Sequence, residues 1–183
     1  MKSRTGSEIY LSVATMILTA AFAVPAAAQS PCPSVAPGCF KGTFLGEDAH
    51  DTTLPPGATT VAIGTTATGT GTHLGQFSLI RQVIGNLTNL SDTGSARWIA
   101  ANQDSIYTTI SGQAELSDEG GGSLKVTEVH TITGGTGRFA GAQGSFTVVL
   151  FHRLEPSGVV GDVQTHDISG SFHGTVTFAD GHH

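Results

Sequence analysis

"ITGGTGRFAGAQGSF", residues 132–146, packs five glycines into fifteen positions between two runs of alternating apolar and polar residues. A phosphate cradle would need such a turn to end in Lys-Ser/Thr and to open a helix, so that helix-end amides meet the anion. Here Arg138-Phe139-Ala140 follow, and the next segment is "GSFTVVLFHR", which alternates as a strand does. No helix and no crossover to a parallel strand can be found for the dinucleotide version either. Glycine reaches backbone angles closed to other residues and lets chains approach closely. Gly134, Gly135, Gly137 and Gly141 therefore suit a sharp strand-to-strand passage or a bulged corner, with Phe139 tucked inward as a plug.

Working outward, the same period-two alternation recurs along the chain. "DSIYTTISGQAE" sets Ile106, Thr108, Ile110, Gly112 and Ala114 on one face. "GSFTVVLFHR" sets Phe146, Val148, Leu150 and His152 on one face, and "HDISGSFHGTVTF" does so with Ile168, Phe172, Val176 and Phe178. About eight strands emerge, near 40–46, 59–71, 74–85, 95–101, 104–115, 123–133, 144–154 and 164–178. Turn signals separate them, including "LPPG" (54–57), "NLTNLSDTG" (86–94) and "SDEGGG" (117–122). Short connections make neighbours antiparallel. With no helix to cover a sheet face, the expected fold is all-β: an eight-stranded antiparallel up-and-down barrel, which removes its own edges by closing. A two-sheet sandwich is the alternative.

The ends of the chain set the compartment. Lys2 and Arg4, the apolar "YLSVATMILTAAFAV" and the small residues Ala26-Ala27-Ala28 read as a cleaved signal peptide over 1–28. The apolar run falls short of the ~20 residues a membrane span needs. The expected product is secreted or periplasmic, with a Pro-rich leader at 29–39, a barrel domain at 40–178 and a tail at 179–183. Cys32 and Cys39, the two cysteines, read as a disulfide tying that leader into a loop. Without the leader peptide the chain carries six basic and thirteen acidic residues, and no Lys/Arg cluster occurs. Nucleic acid, which needs several such contacts, is excluded as a partner.

"TGGTGRFAGAQGSF" resembles the signature of the allene oxide cyclase family, and dirigent proteins carry a related Gly-Gly-Thr-Gly-x-Phe run. "GTHLGQF" (71–77) and "ANQDSIY" (101–107) are similar to segments of bacterial allene-oxide-cyclase-like barrel proteins. The resemblance spans roughly 40–178. It implies an eight-stranded barrel of lipocalin-like shape with an apolar cavity, and a trimer or dimer as its assembly. It implies function by fixing a substrate's conformation, without a cofactor, as the plant cyclases and dirigent proteins do. "FKGTFLGEDAHD" has Glu47 and Asp48 but not the surrounding pattern of the plant enzymes, so no catalytic residue is carried over.

From the residues themselves, Leu124, Val126, Glu128, His130 and Ile132 share one strand face, so Glu128 and His130 interrupt an apolar side about 7 Å apart. Facing inward, the pair suits proton transfer and is the catalytic candidate; facing outward, it is merely solvated. His73, Phe77, Arg81 and Trp98 are the ligand-binding candidates. His73 either points into a barrel mouth or locks its turn, and Arg81, in phase with Phe77, Leu79 and Val83, either meets a carboxylate in a cavity or solubilises the surface. Phe77 and Trp98 read first as core and second as pocket wall. Eight histidines invite a metal, but His166 and His173 fall on opposite faces of a strand and none is expected. No Gly-x-Ser-x-Gly elbow occurs. The functional expectation is an exported barrel holding a small hydrophobic molecule in its lumen, as a cofactor-free isomerase or cyclase. A non-catalytic carrier of an apolar ligand, or a dirigent-like or structural envelope barrel, is the competing reading.

Overall fold

Short polar turns between period-two runs bring each strand back beside the one before it. The structure, a computed structural model, describes residues 38–117 and 122–179. Its strands are β1 (Cys39–Asp51), β2 (Thr60–Gly71), β3 (Gly75–Asn86), β4 (Ser91–Ala100), β5 (Ser105–Leu116), β6 (Ser123–Gly135), β7 (Gln143–Arg153), a short β8 (Gly158–Val160) and β9 (Val163–Thr177). Strands β1 to β7 pair antiparallel in sequence order, and β7 then pairs with β9. Pairing of β1 with β9, for example Phe44 opposite Gly170, closes the sheet into an eight-stranded barrel. β8 pairs with β9 alone and extends that hairpin. The barrel excludes the sandwich alternative. No helix among the described residues is long and apolar enough to cross a membrane.

Side chains of the inward rows fill the barrel. Phe40, Trp98, Ile106 and Phe146 have no exposed surface. Large rings lie against inward glycines: Phe172 reaches over Gly42 and Gly71, Phe44 over Gly170 and Phe77 over Gly69, where any added Cβ would collide with the ring tip. Alternating large and small residues in this way lets facing walls interdigitate at the density of a protein interior.

The glycine stretch makes the passage from β6 to β7. The β5–β6 register shifts between Tyr107 and Thr108, whose partners are Gly134 and Ile132, so Thr133 of β6 is the extra, bulged residue. A single 3-10 turn, Gly137–Phe139, follows, and β7 begins at Gln143. Gly137 adopts φ 55° and lies against the Asp104 carboxylate, so both its backbone angle and its surroundings refuse a side chain. Phe139 is 1% exposed and caps this end of the barrel with Leu74 and Ala142.

Two strands are longer than their sequence pattern suggests. β1 runs on through "GEDAHD" to Asp51, and β4 begins at Ser91, inside the stretch that reads as a loop. Asp48 and Asp92 consequently point inward from strands. Cys39 is buried and disulfide-bonded. Its expected partner Cys32, the signal segment, most of the leader and the end of the tail lie outside the described residues.

Candidate functional site

The half of the interior away from Phe139 is built from charge. Arg81 of β3 is 3% exposed and stands at its centre. Its Nε donates to Glu128 Oε1 at 2.9 Å, and Nη2 bonds the same oxygen. Nη2 also donates to Asp92 Oδ2 at 3.2 Å, Nη1 donates to Thr65 Oγ1 at 2.9 Å, and Nη1 lies 3.8 Å from Asp48 Oδ1. The Thr65 hydroxyl in turn donates to Asp48 Oδ1. Strand register explains the gathering: Asp48, Thr65 and Arg81 occupy one row across β1, β2 and β3, while Asp92, Gly112 and Glu128 occupy another across β4, β5 and β6. Gly112 is what lets the second row close up. A Cβ there would strike both Asp92 and Glu128.

Glu128 and His130 are both wholly buried. Glu128 Oε2 lies 3.0 Å from His130 Nε2, and the Thr108 hydroxyl lies 3.0 Å from His130 Nδ1. Burial would raise the Glu128 carboxyl, but the His130 hydrogen bond and the Arg81 charge outweigh it and hold the group below its ordinary range. Burial pushes His130 down, so its ring is neutral, with Nε2–H donating to Glu128 and Nδ1 accepting from Thr108. Burial, then the Glu128 charge, pushes Asp92 up to about 7. Arg81 stays charged, because Glu128, Asp48 and Asp92 outweigh the effect of its burial.

Every polar atom of Glu128 and His130 is thus engaged by the protein itself. The aromatic half closes over them: the His130 ring stacks on Phe146 at 5.1 Å and meets the edge of Trp98 at 5.6 Å. Phe77 and Trp98, 5.3 Å apart, belong to the same cluster. His73 is elsewhere, exposed in the β2–β3 turn with φ 62° and its ring 4.9 Å from Phe178. The structure therefore unites Arg81, Glu128, His130, Phe77 and Trp98 and leaves His73 outside.

Sequence reasoning missed Asp48, Thr65, Asp92 and Thr108, and a second group at the rim. His152 Nδ1 lies 3.1 Å from Asp48 Oδ2, the His166 ring stands 4.7 Å from that of His152, and His50 stacks on His166 at 5.0 Å. One signal was available. Arg81, in phase with apolar neighbours, implies a buried cation, and a buried cation requires carboxylates facing it. Among the described residues no three His, Cys, Asp or Glu side chains are placed to hold a metal ion.

The larger clefts lie outside the lumen. One of about 500 Å³ runs over the outer wall of β2, β1, β9 and β7, above the backbone at Gly69 and Gly170. Two uncharged rows flank it, Thr70–Thr43–Ser171–Val149 and Thr68–Leu45–Ser169–Phe151. No family model, no curated protein and no solved structure matches the chain.

Proposed function

We propose that the protein is an exported barrel that binds a small apolar molecule in the groove on its outer wall, with its lumen serving as a folded core. The observation that carries this reading is the sealed interior. Glu128 and His130 have no exposed surface and no unengaged polar atom, and rings occupy the space a lumenal substrate would need. The outer groove is of the size that small-molecule sites have, roughly 300–1,000 Å³. Leu45, at 68% exposure, Val149 and Phe151 give it an apolar wall, and Thr43, Ser169 and Ser171 supply hydroxyls that can orient a ligand. The basic start, the apolar run and Ala26-Ala27-Ala28 support export. The glycine run and the closed barrel support kinship with allene-oxide-cyclase-like and dirigent-like barrels, of which this would be a carrier and not a lumenal cyclase.

Titration with N-phenyl-1-naphthylamine, a neutral fluorescent probe, tests the reading. The double variant Leu45→Ser/Phe151→Ser is expected to weaken probe binding at least tenfold, about 1.4 kcal/mol, with the folded state retained by circular dichroism. Unchanged affinity in that variant would remove the groove from the function.

A further inference from the structure

The rim opposite Phe139 holds an arrangement that the outer groove does not use. Asp48 is 2% exposed, and the Thr65 hydroxyl and Arg81 hold its Oδ1 in place. Its Oδ2 faces His152 Nδ1 at 3.1 Å, so a neutral His152 carries its proton on Nδ1 and keeps a lone pair on Nε2. The His152 side chain is 12% exposed and reaches solvent at the rim. Beside it, His166 Nδ1 sits 2.9 Å from the Arg153 carbonyl, to which it donates, and this fixes the same tautomer. His166 Nε2 is then a buried acceptor, and it has no partner. Three buried side-chain polar atoms among the described residues lack a partner, Asp92 Oδ1, Trp98 Nε1 and His166 Nε2. Of these, His166 Nε2 is the one beside His152, a base that reaches solvent and can bring a donor to it.

We propose that Asp48, His152 and His166 form a general-base site at the polar mouth of the barrel, acting on a small carbon acid whose C–H lies between a carbonyl and a carbon–carbon double bond. His152 Nε2 takes that proton and the C–H electron pair moves into the enolate. The imidazolium, stabilised by the Asp48 carboxylate, returns the proton to the γ-carbon of this extended enolate, and the double bond moves into conjugation with the carbonyl. The sum is an isomerisation that consumes no co-reactant. His166 Nε2 accepts a hydrogen bond from a hydroxyl on the substrate and orients it. Asp48 is a positioning residue, because it acts only through His152. The groups facing the His152 ring are Asp48 and His50 from β1 and His166 from β9, with Arg81 behind Asp48. This site is independent of the outer groove, and its failure leaves the groove reading standing.

5-Nitrobenzisoxazole reports on such a base without knowledge of the natural substrate. Loss of its ring C–H proton breaks the N–O bond and releases a coloured cyanophenolate. The full protein is expected to open it faster than buffer, along a pH profile with one imidazole step. His152→Gln, which keeps a donor toward Asp48, should lower the rate at least tenfold, and His173→Ala, on the outer wall, should leave it unchanged. Asp48→Asn should move the imidazole step to lower pH, a change that damage to packing would not produce. Should Asp48→Asn fail to fold, His152→Ala serves instead, with part of its lost rate restored by added imidazole beyond what imidazole gives in buffer. A rate no greater than buffer, or one that survives His152→Gln, would overturn the site.

Discussion

At the end capped by Phe139, the barrel is filled by Phe40, Phe44, Phe77, Trp98, Phe146 and Phe172, with glycines set opposite the rings. At the other end, Arg81, Asp48, Asp92, Glu128, His130 and their hydroxyl partners occupy the same kind of enclosed space. Both halves are buried, but they hold together differently. Burial of rings is non-directional and roughly proportional to area, so loss of one ring leaves the others in favourable surroundings. A buried charge network stabilises only while each member keeps its partners, because any group left alone bears its full desolvation cost. The aromatic half makes the barrel stable by bulk. The charged half makes stability conditional on a register that brings two rows of residues face to face.

That contrast breaks down if single truncations do not hurt both halves. Trp98→Ala should cost about 3–5 kcal/mol through the cavity it opens, measured by urea unfolding. Arg81→Met should cost a similar amount, about 3–5 kcal/mol, by stranding Glu128 and Asp48. The halves should separate on joint replacement. Arg81→Met, Glu128→Leu and Asp48→Leu together should recover much of the Arg81→Met loss, whereas no second truncation rescues Trp98→Ala. If the triple variant is less stable than Arg81→Met alone, the charged half is not conditional in the sense argued.

A smaller effect sharpens the electrostatics. Asp92 is raised from 3.8 to about 7, so the folded chain holds its proton more tightly than the unfolded chain does. The associated stability is complete below the unfolded value and is lost as pH rises toward about 7, at no more than about 1.4 kcal/mol per pH unit. Glu128, held low, acts with the opposite sign, and its contribution is lost as pH falls below its ordinary range. The histidines at positions 50, 130 and 166, also held low, lose stability as pH falls through 6.5. The Asp92 component is therefore isolated by the difference between the wild-type protein and Asp92→Asn across pH 4–8, which should shrink as pH rises. A flat difference would refute the raised value. Smallest of all, the exposed Lys125–Glu115 pair at 2.9 Å should matter by under ~1 kcal/mol, so Lys125→Gln should barely move the urea midpoint.

How far the candidate site was legible follows from these same residues. Glu128 and His130 stood out because they interrupt an apolar strand face, and Arg81 because it keeps phase with Phe77, Leu79 and Val83. Asp48 and Asp92 did not stand out. Each sits in a polar stretch, "GEDAHD" and "NLSDTG", that has the composition of a turn. Strand propensity is weak evidence against tertiary context, and here the context is the Arg81 guanidinium, which gives those carboxylates a partner inside the barrel. His152 and His166 lie 14 residues apart, and the pairing of β7 with β9, which sets His152 opposite Ile168, brings their rings to 4.7 Å.

The alternation of apolar residues, the spacing of turns and the absence of any helical period determined, from the amino-acid order alone, that this chain makes an antiparallel sheet of about eight strands. Those are local properties, set by the two-residue repeat of a pleated strand. What lies inside was decided by the tertiary structure. A closed barrel has an interior whose size and stagger depend on strand register, and register is a relation between strands that no single stretch of sequence contains. That relation filled the lumen with rings and charge, sealed Glu128 and His130 away from solvent, and gathered His50, His152 and His166 at the rim.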